Sequence, residues 1–301
     1  MNEFELIAEI LAELAETTAG AAVRVGPGDD AAVTSVPTDA ELVSSIDTLV
    51  ADVHFPASAG ASLVGHRALM VSLSDLAAMG ARPGLVLVAL TLPELDVDWA
   101  RGLARGMASA ARVAGVPIVG GNIARGPLAV TVSVHGWVPA GASLVRSGAR
   151  SGDQIYLTGS LGGAAAALSR GDLGACRDEA GLDELQRRYF LPQARLAAGV
   201  ALRGVANSAI DVSDGLLQDL EHICRESGVA AQILSEHIPV TVGALIDHAL
   251  NGGDDYELCF TSASAPGDLG VAVTRIGAIV NGSGVSLDGK VVSAAGYLHF
   301  Q

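Results

Sequence analysis

Apolar positions along the chain alternate between a three-to-four-residue spacing and a two-residue spacing, the periods of helices and strands. Asn2–Glu16 reads as an amphipathic helix with Phe4, Ile7, Leu11 and Leu14 on one face, Asn2 as its cap and Glu5 completing a capping box. Strand-like runs follow at Ala31–Val33 and Leu42–Ile46. A long helix spans Ala61–Met79 and is stopped by Gly80 and Pro83. Leu85–Leu92 is a strand, Trp99–Ala114 a helix closed by Gly115, and Ile118–Val119 a short strand running into Gly120-Gly121-Asn122. Leu128–Val138 alternates as a strand should. Pro139–Gly152, rich in Gly, Ser and Arg, marks a junction between a domain at 1–140 and another at 150–301. Beyond it the pattern predicts strands at Gln154–Thr158, Ala209–Val212, Glu257–Thr261 and Val271–Ile276, with helices at Gly162–Ser169 and Leu216–Glu226. Helices and strands interleave in both halves, so the fold class is α/β or α+β.

Composition narrows this picture. Half of the 301 residues are hydrophobic but only 4% are aromatic, so the core is built from Ala, Val and Leu. No apolar run approaches the ~18 residues of a membrane helix, and the first residues lack the basic stretch of a signal peptide. Cys176, Cys224 and Cys259 are widely spaced and form no CxxC pair, which suits buried thiols in a cytoplasmic protein. A net charge of −15 argues against nucleic acid as a partner. The single lysine, Lys290, is followed by Val291, so the GK[ST] of a Walker-type P-loop is absent. Phosphate, if handled, must be met by arginine, backbone N–H groups and metal.

The acids are distributed unevenly. Asp75 sits inside the apolar helix Val71–Met79, where an unpartnered charge is costly. Others cluster beside glycines and apolar runs: Asp29-Asp30, Asp47, Asp211 with Asp214, and Asp254-Asp255. Ser45, two residues before Asp47, points to the same face of its strand. Several carboxylates gathered at one cleft repel unless divalent cations stand among them, and magnesium takes such oxygen ligands while keeping several waters. Alternative readings are local. Asp29-Asp30 fits a turn after Gly26-Pro27-Gly28, Ser213 or Asp214 a helix cap, and Asp75 a salt bridge. Arg125 and Arg146 are candidates for phosphate contacts, and Gly120-Gly121 would let a ligand approach the backbone. No Ser-His-Asp or Cys-His arrangement stands out.

In order along nearly the whole chain, Gly28–Val33, Asp47–Val50 with His54-Phe55, Leu73–Pro83, Gly120-Gly121, Arg146–Ala149, Gly152–Tyr156, Asp211–Leu216, Gly252–Leu258 and Gly296–Phe300 resemble the thiamine-monophosphate kinase family. That family sits in a superfamily with aminoimidazole ribonucleotide synthetase and selenophosphate synthetase. The resemblance implies two α/β domains, the N-terminal one pairing with its twin in a homodimer barrel. It implies transfer of the ATP γ-phosphate to thiamine monophosphate with several Mg2+ ions. By the same resemblance Asp30, Ser45, Asp47, Asp75, Asp211 and Asp214 hold metal, with Asn122 a weaker ligand. Asp30, Asp47, Asp75 and Asp211 then carry catalysis. Gly121, Asn122, Arg146 and Ser213 contact ATP, and His54, Asp254 and Tyr297 line the thiamine phosphate site. Three departures stand out: Asn122 where the family usually has Asp, Asp254 where it has Glu, and Ile46 where a hydroxyl residue is common. Another ATP-dependent activity of the superfamily, or a non-catalytic thiamine phosphate or nucleotide-binding paralogue, stays open. Against the former stands the lack of cysteine near either terminus.

Overall fold

The computed structural model describes residues 3–293, which leaves the Asn2 cap and Tyr297 outside the described residues. Helix α1 (Glu3–Leu14) leads through a 3-10 turn to a two-stranded ribbon of β1 (Val23–Val25) and β2 (Val33–Thr34). Strand β3 (Ala40–Val50), helix α2 (Ala61–Ala78), strand β4 (Arg82–Leu92), helix α3 (Val97–Ala114), β5 (Ile118–Arg125) and β6 (Ala129–Pro139) follow. They build a four-stranded sheet in the order β3-β6-β4-β5, antiparallel except for the parallel β4–β5 pair. A connection over 140–153 leads to β7 (Gln154–Thr158), α4 (Gly163–Arg170), α5 (Glu184–Phe190), α6 (Leu196–Ala201) and β8 (Ser208–Asp211). After these come α7 (Leu216–Ser227), β9 (Ala230–Ile233), α8 (Ile246–Asn251), β10 (Leu258–Ser262), β11 (Val273–Val280), β12 (Gly284–Leu287) and β13 (Lys290–Val292). The second sheet has seven strands in the order β13-β12-β9-β11-β7-β10-β8.

The first sheet is covered on one face by α2 and α3. Val130, Val132 and Val134 of β6 are buried there, while Thr131, Ser133, His135 and Trp137 alternate to the other face. That second face also carries Leu42 and Ile46 of β3 and Leu87 of β4, all exposed. Helices α2 and α3 approach closely: a Cβ on Gly65 would stand 2.1 Å from the Leu103 carbonyl, so only glycine fits.

The core does not respect the chain's midpoint. Leu63, Leu69 and Leu73 of α2 share one buried cluster with Ala164 and Ala167 of α4, Leu173, Leu182, and Tyr189 and Phe190 of α5. A second cluster fills the space between the seven-stranded sheet and α7. A third joins Ala77 and Ala78, at the end of α2, to Leu202, Tyr156 and Phe260.

Several boundaries move from expectation. Phe4 is 79% exposed, and α1 instead buries Leu6 and Leu14 against the core. The run at Ala31–Val33 pairs only at its end, as β2. Strand β3 continues through Asp47 to Val50, because its antiparallel ladder with β6 runs unbroken from Ala40 to Val50. Gly120-Gly121-Asn122 lies within β5 rather than after a strand, in register with Leu87, Val88 and Ala89.

Candidate active site

Two edge strands, β3 of the first sheet and β8 of the second, meet at the C-terminal half of α2. Helix α2 presents adjacent residues to the two sides. Ser74 donates to Asp211 Oδ2 at 2.7 Å, while Asp75 Oδ2 accepts from the Ser45 hydroxyl at 2.5 Å. A cavity of about 330 Å³ opens here, lined by Ser45, Asp75, Arg146 and Asp211 among others. Asp47 projects from the same face of β3 as Ser45. The side chain of Ile46 stands on the opposite, uncovered face, away from these acids.

Burial perturbs all three carboxyls, and the charge of Asp75 adds to it at the other two. Asp47 is pushed up to about 6, chiefly by desolvation and then by the charge of Asp75, with the Ser72 hydroxyl offsetting part. Asp211, 5% exposed, is pushed up to about 7 by desolvation and by Asp75, against the pull of Ser74 and Arg146. Asp75 is raised by burial and relieved by Ser45 and Arg146. Among the described residues no group of three or more His, Cys, Asp or Glu could by itself hold a metal ion. What the cleft does offer is a few hard oxygens carrying more negative charge than they can comfortably hold. That donor set fits magnesium, which is bound through one or two carboxylates plus substrate phosphates rather than in an all-protein cage.

The loop after β8 is built around a residue that sequence reading passed over. Asp219 of α7, 2% exposed, accepts from the backbone N–H groups of Ser213, Asp214 and Gly215 at 3.1, 3.1 and 3.2 Å. The carboxylate thus caps the helix from inside, in place of a Ser213 or Asp214 side chain. Its carboxyl is nonetheless pushed up to about 7, by burial and the charge of Asp211.

This loop is stitched to the segment that carries Asp254. Asp254 N donates to the Ser213 carbonyl at 2.9 Å and Tyr256 N to that of Val212 at 2.8 Å. Asp254 and Tyr256 adopt φ of 69° and 53°, left-handed values that cost of order 1 kcal/mol or more for such residues. Asp255 anchors the turn by accepting from Gly162 N on both oxygens, at 2.9 and 2.8 Å. Glu257, buried, is gripped by Arg195, with Nε donating to Oε2 at 2.6 Å. Asp254 pairs with Arg67 of α2, a second residue sequence reading missed. The clue was present: Arg67, like Asp75, is a lone charge in an otherwise apolar stretch of α2. His54, between β3 and α2, accepts from Val50 N at Nδ1 at 3.0 Å.

Other expected residues lie apart from the acids. Asp29, Asp30, Gly121 and Asn122 line a cavity of about 870 Å³ bounded by α1 and β5. A Cβ on Gly121 would stand 1.9 Å from the Val88 carbonyl, so pairing of β5 with β4 already demands glycine there. Arg125 Nε donates to the Pro93 carbonyl at 3.3 Å. Cys176, Cys224 and Cys259 are buried and unbonded to one another. No described helix is long and apolar enough to cross a membrane.

Comparison with known proteins agrees with this architecture. Residues 28–138 match the family model for the AIR synthase related protein N-terminal domain, and residues 150–288 that for the C-terminal domain. The chain therefore has the two-domain fold of an AIR synthase related protein. Two thiamine-monophosphate kinases, from Salmonella typhimurium (39% identical) and Escherichia coli K12 (40%), each align with 99% of this chain and 98% of their own length. The crystal structure of thiamine-monophosphate kinase from Stenotrophomonas maltophilia K279a superposes with a TM-score of 0.87 at 40% identity, covering 97% of this chain and 98% of that one. A structure described as AaThiL complexed with AMPPCP and TMP superposes at 0.81 with 30% identity, covering 99% and 97%. This chain belongs to the thiamine-monophosphate kinase family.

Proposed function

We propose that the chain transfers the γ-phosphoryl group of ATP to thiamine monophosphate, giving thiamine diphosphate and ADP. One observation carries this reading: Asp75 and Asp211 line one cleft with Ser45 and Arg146, and Asp47 stands on the same strand face as Ser45, within reach of the charge of Asp75, in a chain that aligns end to end with kinases of this name. The acceptor phosphate monoester has its second pKa near 6, so it is largely a dianion at neutral pH and needs no general base. Positioning and charge neutralisation then account for catalysis, and we infer direct in-line transfer. Magnesium ions would neutralise the phosphate oxygens of donor and acceptor. We assign Asp47, Asp75, Asp211 and Ser45, with Asp214, as metal ligands at this cleft, and Asp30 and Asn122, which line the separate cavity beside α1, as further metal ligands there. Arg146 steers the triphosphate into the cleft, with Gly121, Asn122 and Ser213 contacting ATP. His54 and Asp254, together with Tyr297, bind the thiamine phosphate.

We assign ATP and metal binding and dimerisation mainly to the domain at residues 1–140, with Asp211, Ser213 and Asp214 contributed by the α/β domain at residues 150–301. We further infer a homodimer in which the uncovered faces of two N-terminal sheets close on each other. The setting inferred is cytoplasmic, where ATP is abundant and buried thiols stay reduced. The test is incubation of purified protein with ATP, Mg2+ and thiamine monophosphate, followed by chromatography of the thiamine phosphates. Thiamine diphosphate appearing in step with ADP is the expected result. Binding of both ligands without product would instead identify a non-catalytic paralogue.

A further inference from the structure

Arg67 is 3% exposed, and both ends of its guanidinium are committed. Nη2 donates to Asp254 Oδ1 at 2.7 Å, and Nη1 to the carbonyl oxygen of Tyr189 at 2.8 Å. The guanidinium lies over the Tyr189 ring, 4.0 Å from its centroid. The Tyr189 hydroxyl in turn donates to the carbonyl oxygen of His54 at 2.8 Å. An unbroken chain, Asp254–Arg67–Tyr189–His54, therefore links two residues proposed for the acceptor site that come from opposite halves of the sequence.

The pairing is lopsided in an informative way. Arg67 and the Tyr256 hydroxyl, the latter at 2.8 Å, both donate to Oδ1 of Asp254. Oδ2 accepts no hydrogen bond among the described residues, and the side chain is 24% exposed. Arg67 Nε meanwhile is buried and meets no acceptor. A buried ion pair with an unmet donor is a poor stabiliser compared with packed apolar groups. Its presence here points to geometry rather than stability.

We propose that Arg67 is the positioning residue of the acceptor site, holding Asp254 and, through Tyr189, His54. Because Arg67 already balances the Asp254 charge, Oδ2 serves as a directional acceptor for a neutral N–H donor rather than as a counter-ion for a cation. On thiamine monophosphate the matching group is the exocyclic amine of the aminopyrimidine, so the site selects phosphates bearing that amine. This inference rests on the thiamine monophosphate reading above.

The test is steady-state kinetics on wild type, Arg67→Met, Arg67→Lys and Tyr189→Phe, with thiamine monophosphate and with its analogue carrying oxygen in place of that amine. Arg67→Met is expected to raise KM for thiamine monophosphate roughly 10- to 100-fold, the scale of a lost charge-assisted hydrogen bond. KM for ATP and kcat should move less than about threefold, since the acceptor side alone is disturbed. Arg67→Lys should recover part of the loss, and Tyr189→Phe should show a smaller rise. Wild type should prefer the amine-bearing substrate by at least about tenfold in kcat/KM, and that preference should collapse in Arg67→Met. Equal losses toward ATP and thiamine monophosphate, or preference retained in Arg67→Met, would overturn the proposal. Should Arg67→Met fail to fold, the double variant Arg67→Met/Asp254→Asn leaves no unpaired charge. A wild-type KM in that variant would equally overturn it. Wild type inactive on thiamine monophosphate sinks the kinase reading alone. The positioning role is then read from the calorimetric Kd for thiamine monophosphate, which must weaken in Arg67→Met.

Discussion

At Asp47 and Asp211, burial and the charge of Asp75 act in the same direction, and the folded protein holds protons that the unfolded chain would release. A carboxyl whose folded pKa is raised contributes stability that is full below its unfolded pKa and lost as pH rises through the folded value. For Asp47 that window runs from about 4 to about 6, and for Asp211 and Asp219 from about 4 to about 7. The melting temperature of the ligand-free protein should therefore fall as pH is raised from about 5 to about 8. Added Mg2+ with ADP should restore more of it at the upper end than at the lower. Calorimetry at both pH values checks this, and a melting point that rises throughout would count against it. By the same logic Asp47→Asn should cut turnover roughly 100-fold or more while leaving the melting point at about pH 8 unchanged or higher. Asp75 was legible in the sequence because a charge in an apolar helix demands an explanation. Arg67 posed the same question, but its answer, Asp254, lies 187 residues further along the chain, and no local pattern joins them.

The element on which the site turns is α2. Its Arg67 faces the loop that carries Asp254, Ser74 faces β8 and Asp75 faces β3, so one helix holds the acids and that loop together. Helix α7 supplies the counterpart through Asp219, which satisfies three backbone donors at once. Asp219→Ala should cost about 1–3 kcal/mol in denaturant unfolding and raise KM for ATP by loosening Ser213 and Asp214. An unchanged KM for ATP would limit Asp219 to a structural role. The long helices and the strands of the first sheet were readable because their periods run for many residues. The short helices α5, α6 and α8 and the strands β9, β12 and β13 were not, since seven or fewer residues show at most two periods and tertiary packing decides them. The strand expected at Ile118–Val119 continues through Gly120-Gly121-Asn122 for a related reason. Glycine signals close approach, and here the thing approached is the neighbouring strand.

For the molecule as a whole, the uncovered face of the first sheet is its most conspicuous surface, with Ile46 64% exposed beside Leu42 and Leu87. Such a patch marks an interaction surface. In the proposed homodimer, Ile46→Glu should yield a folded monomer by light scattering, whereas wild type should run as a dimer. A monomeric wild type at micromolar concentration would remove the homodimer. The interleaved α/β class was evident from periodicity. What no one-dimensional pattern disclosed was the sharing of α2's core with α4 and α5. That sharing has a consequence for synthesis on the ribosome. The last strand of the first sheet ends at Pro139, but the apolar cover for α2 extends to Phe190. At about 5–20 residues per second, the nascent first half waits several seconds with that flank of its helical layer bare. During this interval it is exposed to chaperones and to its neighbours on the same message.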